Sequence, residues 1–223
     1  MRALLLGTLL LLGTAPALAD KAVGGRDLTA AKWSKYDHYF RKYAKRFFGP
    51  DMDWRWFKAQ AIIESNLRDS AHSGAGARGI MQIIPATFRE IQRKNPALSG
   101  KAIHQPEWNI AAGIYYNRLL FQRWDGDLSE AQRISLMFAS YNAGYSRVLK
   151  AFRKAGQPRD DWQAVARHLP RQTRNYVQRI RRLMQLMPPR KAPRLQRRGL
   201  QTILALLEEG DQRAAPPAAP ATD

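Results

Sequence analysis

Proline and glycine punctuate the middle of this chain so densely that only short elements fit between them. Gly49-Pro50, Pro85, Asn95-Pro96, Pro106, Asp125-Gly126-Asp127, Gly144 and Pro170 divide residues 29 to 187. Proline suits the first turn of a helix and glycine its end. Between these marks apolar residues recur at helical spacing, and no stretch alternates as a half-buried strand must. The expected fold is all-α, a lysozyme-like domain of many short helices over residues 29–187, with a catalytic cleft. The segments predict helices over Thr29 to Phe48, Trp54 to Ser65 with Asp53 as cap, Pro85 to Lys94, and from Pro106 along Ile110, Ile114, Asn117 or Arg118, and Phe121. Asp127 with Glu130 predicts a capping box for a helix from Ala131 to Ala139, which Ser140 to Gly144 interrupts. Helices from Tyr145 to Lys154, from Asp161-Trp162, and from Pro170 to Met187 follow.

The two ends have other compositions. Met1-Arg2, the apolar run Ala3 to Leu12, and Ala17-Leu18-Ala19 before Asp20 form a signal-peptide pattern over residues 1–19. The run is shorter than the roughly 20 residues that span a bilayer. Residues 20–28 read as a flexible leader. Residues 188–223 are a basic, Pro- and Ala-rich tail, expected to be disordered apart from one short helix over Leu200 to Leu207. The chain has no Cys, so disulfides, thiol chemistry and a cysteine-linked lipid anchor are excluded. The formal charge is +19, and removing residues 1–19 deletes one Arg and no acid, leaving +18. A charge of that size predicts an anionic partner. Export makes a cell-wall polymer the better candidate than nucleic acid.

Glu64 is the acid with the most distinctive setting. Phe57, Ala61 and Glu64 fall at i, i+4 and i+7, with Trp54 a turn earlier, so Glu64 closes an apolar stripe at a helix C-terminus. Poor hydration and the negative end of the helix dipole both favour its neutral form. Position alone does not separate such an acid from a helix-end Glu turned into water. A Gly- and Ser-rich loop follows, with Gly74, Gly76 and Gly79 permitting positive φ and close approach of a ligand. It is no Walker A loop, because no Gly-Lys-Ser/Thr occurs in it. Tyr141-Asn142 before Gly144 would project side chains from the end of a core helix, but taken alone the segment reads rather as an ordinary C-cap with Gly at C′. The four His are scattered, no His-Glu-x-x-His occurs, and no nucleophile elbow is present.

Taken together the motifs carry a resemblance. Glu64-Ser65, then Ala71-x-Ser73-x-x-Gly76-Ala77-x-Gly79-Ile80-Met81-Gln82 and Pro85-x-Thr87, resemble the signature of family 23 lytic transglycosylases, which are similar in fold to goose-type lysozyme. Asn109-x-x-x-Gly113-x-x-Tyr116, Ala139-Ser140-Tyr141-Asn142-Ala143-Gly144 and Thr173-Arg174-x-Tyr176-Val177 resemble further motifs of that family, over roughly residues 52–183. Asp69 departs from a common Pro, and Gln172 from a frequent Glu.

The resemblance implies Glu64 as the single catalytic acid. It implies substrate-binding roles for Ser73, Met81, Gln82, Tyr141, Asn142 and Tyr176, with Met81 packed under the sugar and Tyr141 hydrogen-bonded near the carboxylate. It implies no cofactor and no metal. The implied reaction breaks the MurNAc-β-1,4-GlcNAc bond of peptidoglycan without water and leaves a 1,6-anhydroMurNAc end. A lysozyme- or chitinase-like hydrolase on the same fold and a non-catalytic wall-binding or scaffold protein are the alternatives. The expected partner is the peptidoglycan glycan strand, with a cell-wall or secretion-machinery protein as a further candidate. Nucleic acid and a membrane anchor are not expected. The protein is expected to be a periplasmic monomer.

Overall fold

A computed structural model describes residues 31–188. The signal-peptide, leader and tail expectations lie outside the described residues, the possible Leu200 to Leu207 helix included. The elements are α1 (Ala31–Ser34), α2 (Asp37–Phe48), α3 (Arg55–Ser65), α4 (Pro85–Lys94), a 3-10 turn (Pro96–Leu98), α5 (Pro106–Arg123), α6 (Glu130–Ala143), α7 (Tyr145–Lys154), α8 (Trp162–Ala166) and α9 (Arg171–Leu186). Among the described residues extended pairing is limited to isolated antiparallel bridges, His72 with Arg78 and Arg78 with Ile83. The all-α expectation holds.

Two helices have no polar face and so form the centre. In α5 Ile110, Ala111, Ala112, Gly113, Ile114, Tyr116, Leu120 and Phe121 are all buried, and α6 is buried continuously from Ile134 to Ala143. The other long helices are amphipathic and pack around this pair. α2 and α6 lie against α5, and α9 lies against α3 and α6. α9 presents Thr173, Tyr176, Val177, Ile180 and Leu183 as its buried stripe. Steps of three and four residues place these side chains on one face.

Several boundaries differ from expectation for local reasons. The first helix is two, because Lys35-Tyr36 form a turn between α1 and α2. Asp53 accepts from the Arg55 amide at 3.0 Å and from the Arg55 guanidinium, so it does bind the start of α3, while Trp54 holds the cap position. The expected Asp127–Glu130 box does not form. Ser129 is the cap of α6, accepting from the Gln132 amide at 3.1 Å, and Asp127 pairs with Arg159 instead. Tyr141 and Asn142 continue α6 as its last turn, and Gly144 ends it with φ +83°. The segment read as an interruption is therefore the end of the helix itself. Asp161 caps α8 as its position predicts, accepting from the Ala164 amide at 2.9 Å.

Candidate active site

Glu64 sits in the last turn of α3. The chain leaves the helix through two consecutive left-handed residues, Asn66 and Leu67, both with φ +60°. Ser65 fixes the exit by donating to the Ile80 carbonyl at 2.8 Å. The Glu64 carboxyl therefore lies where α3, α6, α9 and the following loop converge. Its Oε1 accepts a 2.6 Å hydrogen bond from the Tyr176 hydroxyl of α9. Glu64 is half-buried, enclosed by protein without being sealed from solvent. Burial pushes its pKa from 4.5 up to about 8, opposed by the Tyr176 hydrogen bond. No neighbouring carboxylate is among the causes. Desolvation is thus the dominant effect, and it favours the neutral acid at neutral pH.

The loop from Arg68 to Ile84 is held from beneath by one side chain. Asn109 of α5 accepts from the Met81 amide at 2.7 Å and donates to the carbonyls of Arg78 at 3.0 Å and Ile103 at 2.9 Å. Gly79, with φ +73°, lies against it, and a Cβ there would come within 2.6 Å of the Asn109 amide. Met81 is fully buried and rests on Gly113. Its carbonyl accepts the Tyr141 hydroxyl at 2.8 Å, and the Tyr141 ring meets Tyr116 edge-on at 5.3 Å.

Asn109 serves one carbonyl-facing and one amide-facing direction at once. Asn109→Asp keeps the shape and loses both donated bonds, leaving an acid oriented at two carbonyls. The expected cost is about 3–5 kcal/mol of stability, read as a lower midpoint in urea unfolding, with the loop amides losing hydrogen-exchange protection first.

The residues implied by the resemblance fall into different places. Glu64 and Tyr176 meet. Tyr141 is close enough that the Glu64 charge raises its pKa further, on top of burial. Its hydrogen bond goes to the Met81 carbonyl, however, and the bond to the carboxyl comes from Tyr176. Met81 does not lie at a surface; its side chain is core, and it enters the site through its backbone. Gln82 is likewise buried, at φ +47°, and its amide nitrogen donates to the Ala71 carbonyl at 3.1 Å and the Gly79 carbonyl at 2.9 Å. It braces the loop from inside. Ser73 is half-buried, and its hydroxyl accepts from the Ala77 amide at 3.0 Å. Asn142 is buried and accepts from Thr173 at 2.9 Å, joining α6 to α9. The Asp69 departure has a structural consequence: its carboxylate accepts from Tyr36 at 2.9 Å and ties the loop to the α1–α2 turn.

Two polar side chains were missed. Gln60 and Asn117 are both fully buried, in α3 and α5. Asn117 donates to Gln60 Oε1 at 2.7 Å, and Gln60 donates to the Tyr176 oxygen at 3.0 Å. Their signal was available in the sequence. Gln60 stands one turn before Glu64 between Ala59 and Ala61, and a polar side chain inside an apolar run demands a partner. Among the described residues no group of three or more His, Cys, Asp or Glu is placed to hold a metal ion.

The family described as "Transglycosylase SLT domain" matches residues 39–163, more than half of the chain. The chain belongs to the transglycosylase SLT-domain family. Among curated relatives of this SLT-domain chain, "Membrane-bound lytic murein transglycosylase F" of Aliivibrio fischeri is 31% identical over 176 residues, covering 70% of this chain and 33% of the relative. The protein of the same name from Vibrio cholerae is 31% identical over 167 residues, covering 66% and 29%. The SLT-domain chain thus spans about a third of the length of these relatives. Among solved structures, an inactive Glu-to-Gln mutant of the lytic transglycosylase Slt from Pseudomonas aeruginosa superposes with a TM-score of 0.60 at 25% identity, over 74% of this chain and 26% of that one. The 70 kDa soluble lytic transglycosylase of Escherichia coli gives 0.57 at 26% identity, over 68% and 24%.

Proposed function

We propose that this SLT-domain protein is a peptidoglycan lytic transglycosylase that cleaves the MurNAc-β-1,4-GlcNAc bond with Glu64 as both acid and base. The observation that carries the reading is a half-buried carboxyl at the convergence of α3, α6 and α9, its pKa raised by burial to about 8, with no other carboxylate of the described residues among the causes. A usual glycosidase works with two carboxyls about 5–9 Å apart. The nearest acid on either side of Glu64 in sequence is engaged elsewhere, Asp69 with Tyr36 and Asp53 with Arg55 at 2.6 Å, as is the more distant Glu90 with Lys94 at 3.1 Å. One acid suffices if the nucleophile comes from the substrate. Glu64 gives its proton to the glycosidic oxygen, the C1–O4 bond breaks, and GlcNAc leaves with a 4-hydroxyl. The substrate's acetamido group stabilises the positive C1. The Glu64 carboxylate then takes the proton of the MurNAc 6-hydroxyl, whose oxygen bonds to C1. The acid is regenerated and no water is consumed. A pKa raised toward the working pH suits both proton transfers.

The formal charge of +19 suits a polymer that carries peptide carboxylates. The signal-peptide pattern supports export to the periplasm, and no helix among the described residues is long and apolar enough to cross a membrane. The inactive Glu-to-Gln mutant of the Pseudomonas aeruginosa relative fits a single indispensable Glu. The test is digestion of purified sacculi followed by mass spectrometry of the released muropeptides. Anhydro ends are expected. Products heavier by one water identify a hydrolase on the same fold, and no release at all identifies a wall-binding protein.

A further inference from the structure

The buried amides behind Tyr176 form a chain whose direction is set by a single backbone carbonyl. The Gly113 carbonyl can only accept, and it lies 3.0 Å from Asn117 Nδ2. Asn117 must therefore turn its nitrogen inward. That same nitrogen is 2.7 Å from Gln60 Oε1. Gln60 then shows its oxygen to Asn117 and its nitrogen to Tyr176, 3.0 Å from the phenolic oxygen. The Tyr176 oxygen accepts from Gln60, so its one proton points the other way, along the 2.6 Å contact to Glu64 Oε1. Asn117 Oδ1 is left buried without a hydrogen-bond partner. This residue is in place for its donors, not its acceptor.

We propose that Gln60 and Asn117 are positioning residues that fix the sense of the Tyr176 hydroxyl, so that Glu64 carries its own proton on Oε2 and reacts through that oxygen. The inference rests on the reading of Glu64 as the acid. Oε1 already receives the Tyr176 proton, and a second proton on the same short line would repel it. The acid proton of neutral Glu64 therefore sits on Oε2. When Oε2 has given that proton to the leaving oxygen, Tyr176 still donates to Oε1 and steadies the anion from the far side. Oε2 is then the free base that takes the 6-hydroxyl proton. Without the fixed sense Tyr176 could turn its proton to Gln60, and neither oxygen of Glu64 would be distinguished. The titratable groups facing this chain are Tyr176 from α9, Tyr141 from α6 and, behind it, Tyr116 from α5, on which Glu90 of α4 and Arg123 of α5 also act. Burial raises the pKa of all three, Tyr116 to about 12, so none changes charge in the working range.

The test follows the pH profile of kcat/KM for product release from purified sacculi by the full chain, with a thermal melt of each variant. The alkaline limb reports loss of the Glu64 proton. In Asn117→Leu, Gln60 has no donor to face and turns its oxygen to Tyr176, which takes the hydroxyl proton away from Glu64. The limb is expected to move up by about one pH unit and kcat to fall about tenfold, because a hydrogen bond to the charged form is lost. Adding Gln60→Met removes the competing acceptor, and the limb is expected to move back. If Asn117→Leu does not fold, the smaller Asn117→Ala removes the same donors and is expected to raise the limb likewise, toward the limb of Tyr176→Phe, in which the hydroxyl is absent. Titration of the Glu64 carboxyl by carbon NMR reads the same change without turnover. A folded Asn117→Leu whose limb stays in place, or a double variant whose losses simply add, overturns the proposal. Full activity in Glu64→Gln overturns the reading beneath it instead.

Discussion

Glu64→Gln is expected to lose at least about 1,000-fold in cleavage rate and to become more stable at the same time. Both effects have one origin. In the proposed reaction the same carboxyl protonates the leaving oxygen and deprotonates the 6-hydroxyl, so its removal leaves neither step a substitute. The gain in stability follows from linkage. The folded pKa is raised from 4.5 to about 8, so between those values the folded state holds a proton that the unfolded chain has released. Stability then falls as pH rises through this window, and the full penalty is reached above about pH 8. Below pH 4.5 both states are protonated and no difference remains. The Gln side chain carries no such penalty. At pH 7 the variant is expected to gain about 2 kcal/mol, discounted for the solvent that still reaches Glu64, or about 4–8 °C in Tm. Calorimetry at several pH values checks the sign: the gain must grow from acid to neutral pH. A gain independent of pH would mean that the carboxyl is not held neutral.

Gly113→Val is expected to disable the site from the opposite side of the loop. The position lies within α5, where Ala would ordinarily help a helix by about 1 kcal/mol. Here a Cβ would stand 2.7–2.8 Å from Met81 Cβ, Cγ and Cε. Met81 cannot retreat freely, because its amide is held by Asn109 and its carbonyl by Tyr141. A branched side chain must therefore push the loop outward, at a cost of about 1–3 kcal/mol for overpacking. A displacement of about 1 Å beside the reacting groups is expected to lower the rate by about 100-fold. The check is a double-mutant cycle with Met81→Ala, which removes the Cγ and Cε collisions and leaves only the one with Cβ. The pair is expected to be more stable than the sum of the single changes predicts. Strict additivity would mean that the two side chains do not collide.

What the sequence made legible follows from which forces act locally. Pro85 and Pro106 stand at the first turn of α4 and α5, and Gly144 closes α6, because proline and glycine impose their backbone angles whatever surrounds them. The stripe ending at Glu64 was readable for the same reason, since helical spacing alone puts Phe57, Ala61 and Glu64 on one side. Cap choice was less legible. Ser129 and Asp127 are both good caps, and the competition was settled by Arg159, which is distant in sequence and draws Asp127 into an ion pair. The division of labour between the two tyrosines was not legible at all. It depends on α9 crossing α3, a packing that sequence spacing does not encode. Met81 and Gln82 look like groove residues by motif position, yet the left-handed backbone at Gln82 and the notch at Gly113 turn both inward. The amide chain through Gln60 and Asn117 joins residues 57 positions apart. Its members were visible singly as polar residues in apolar helices, but their partnership was not.

The central claim is that one carboxyl does the work of two because the sugar supplies its own nucleophile. Digestion of sacculi in water enriched in heavy oxygen tests this most directly. Each new end formed by the 6-hydroxyl keeps only oxygen from the substrate, so the account predicts released muropeptides with anhydro ends and no heavy oxygen above background. Heavy oxygen at C1 of the new ends, lost in Glu64→Gln along with activity, would keep Glu64 as the acid and contradict the reaction assigned to it.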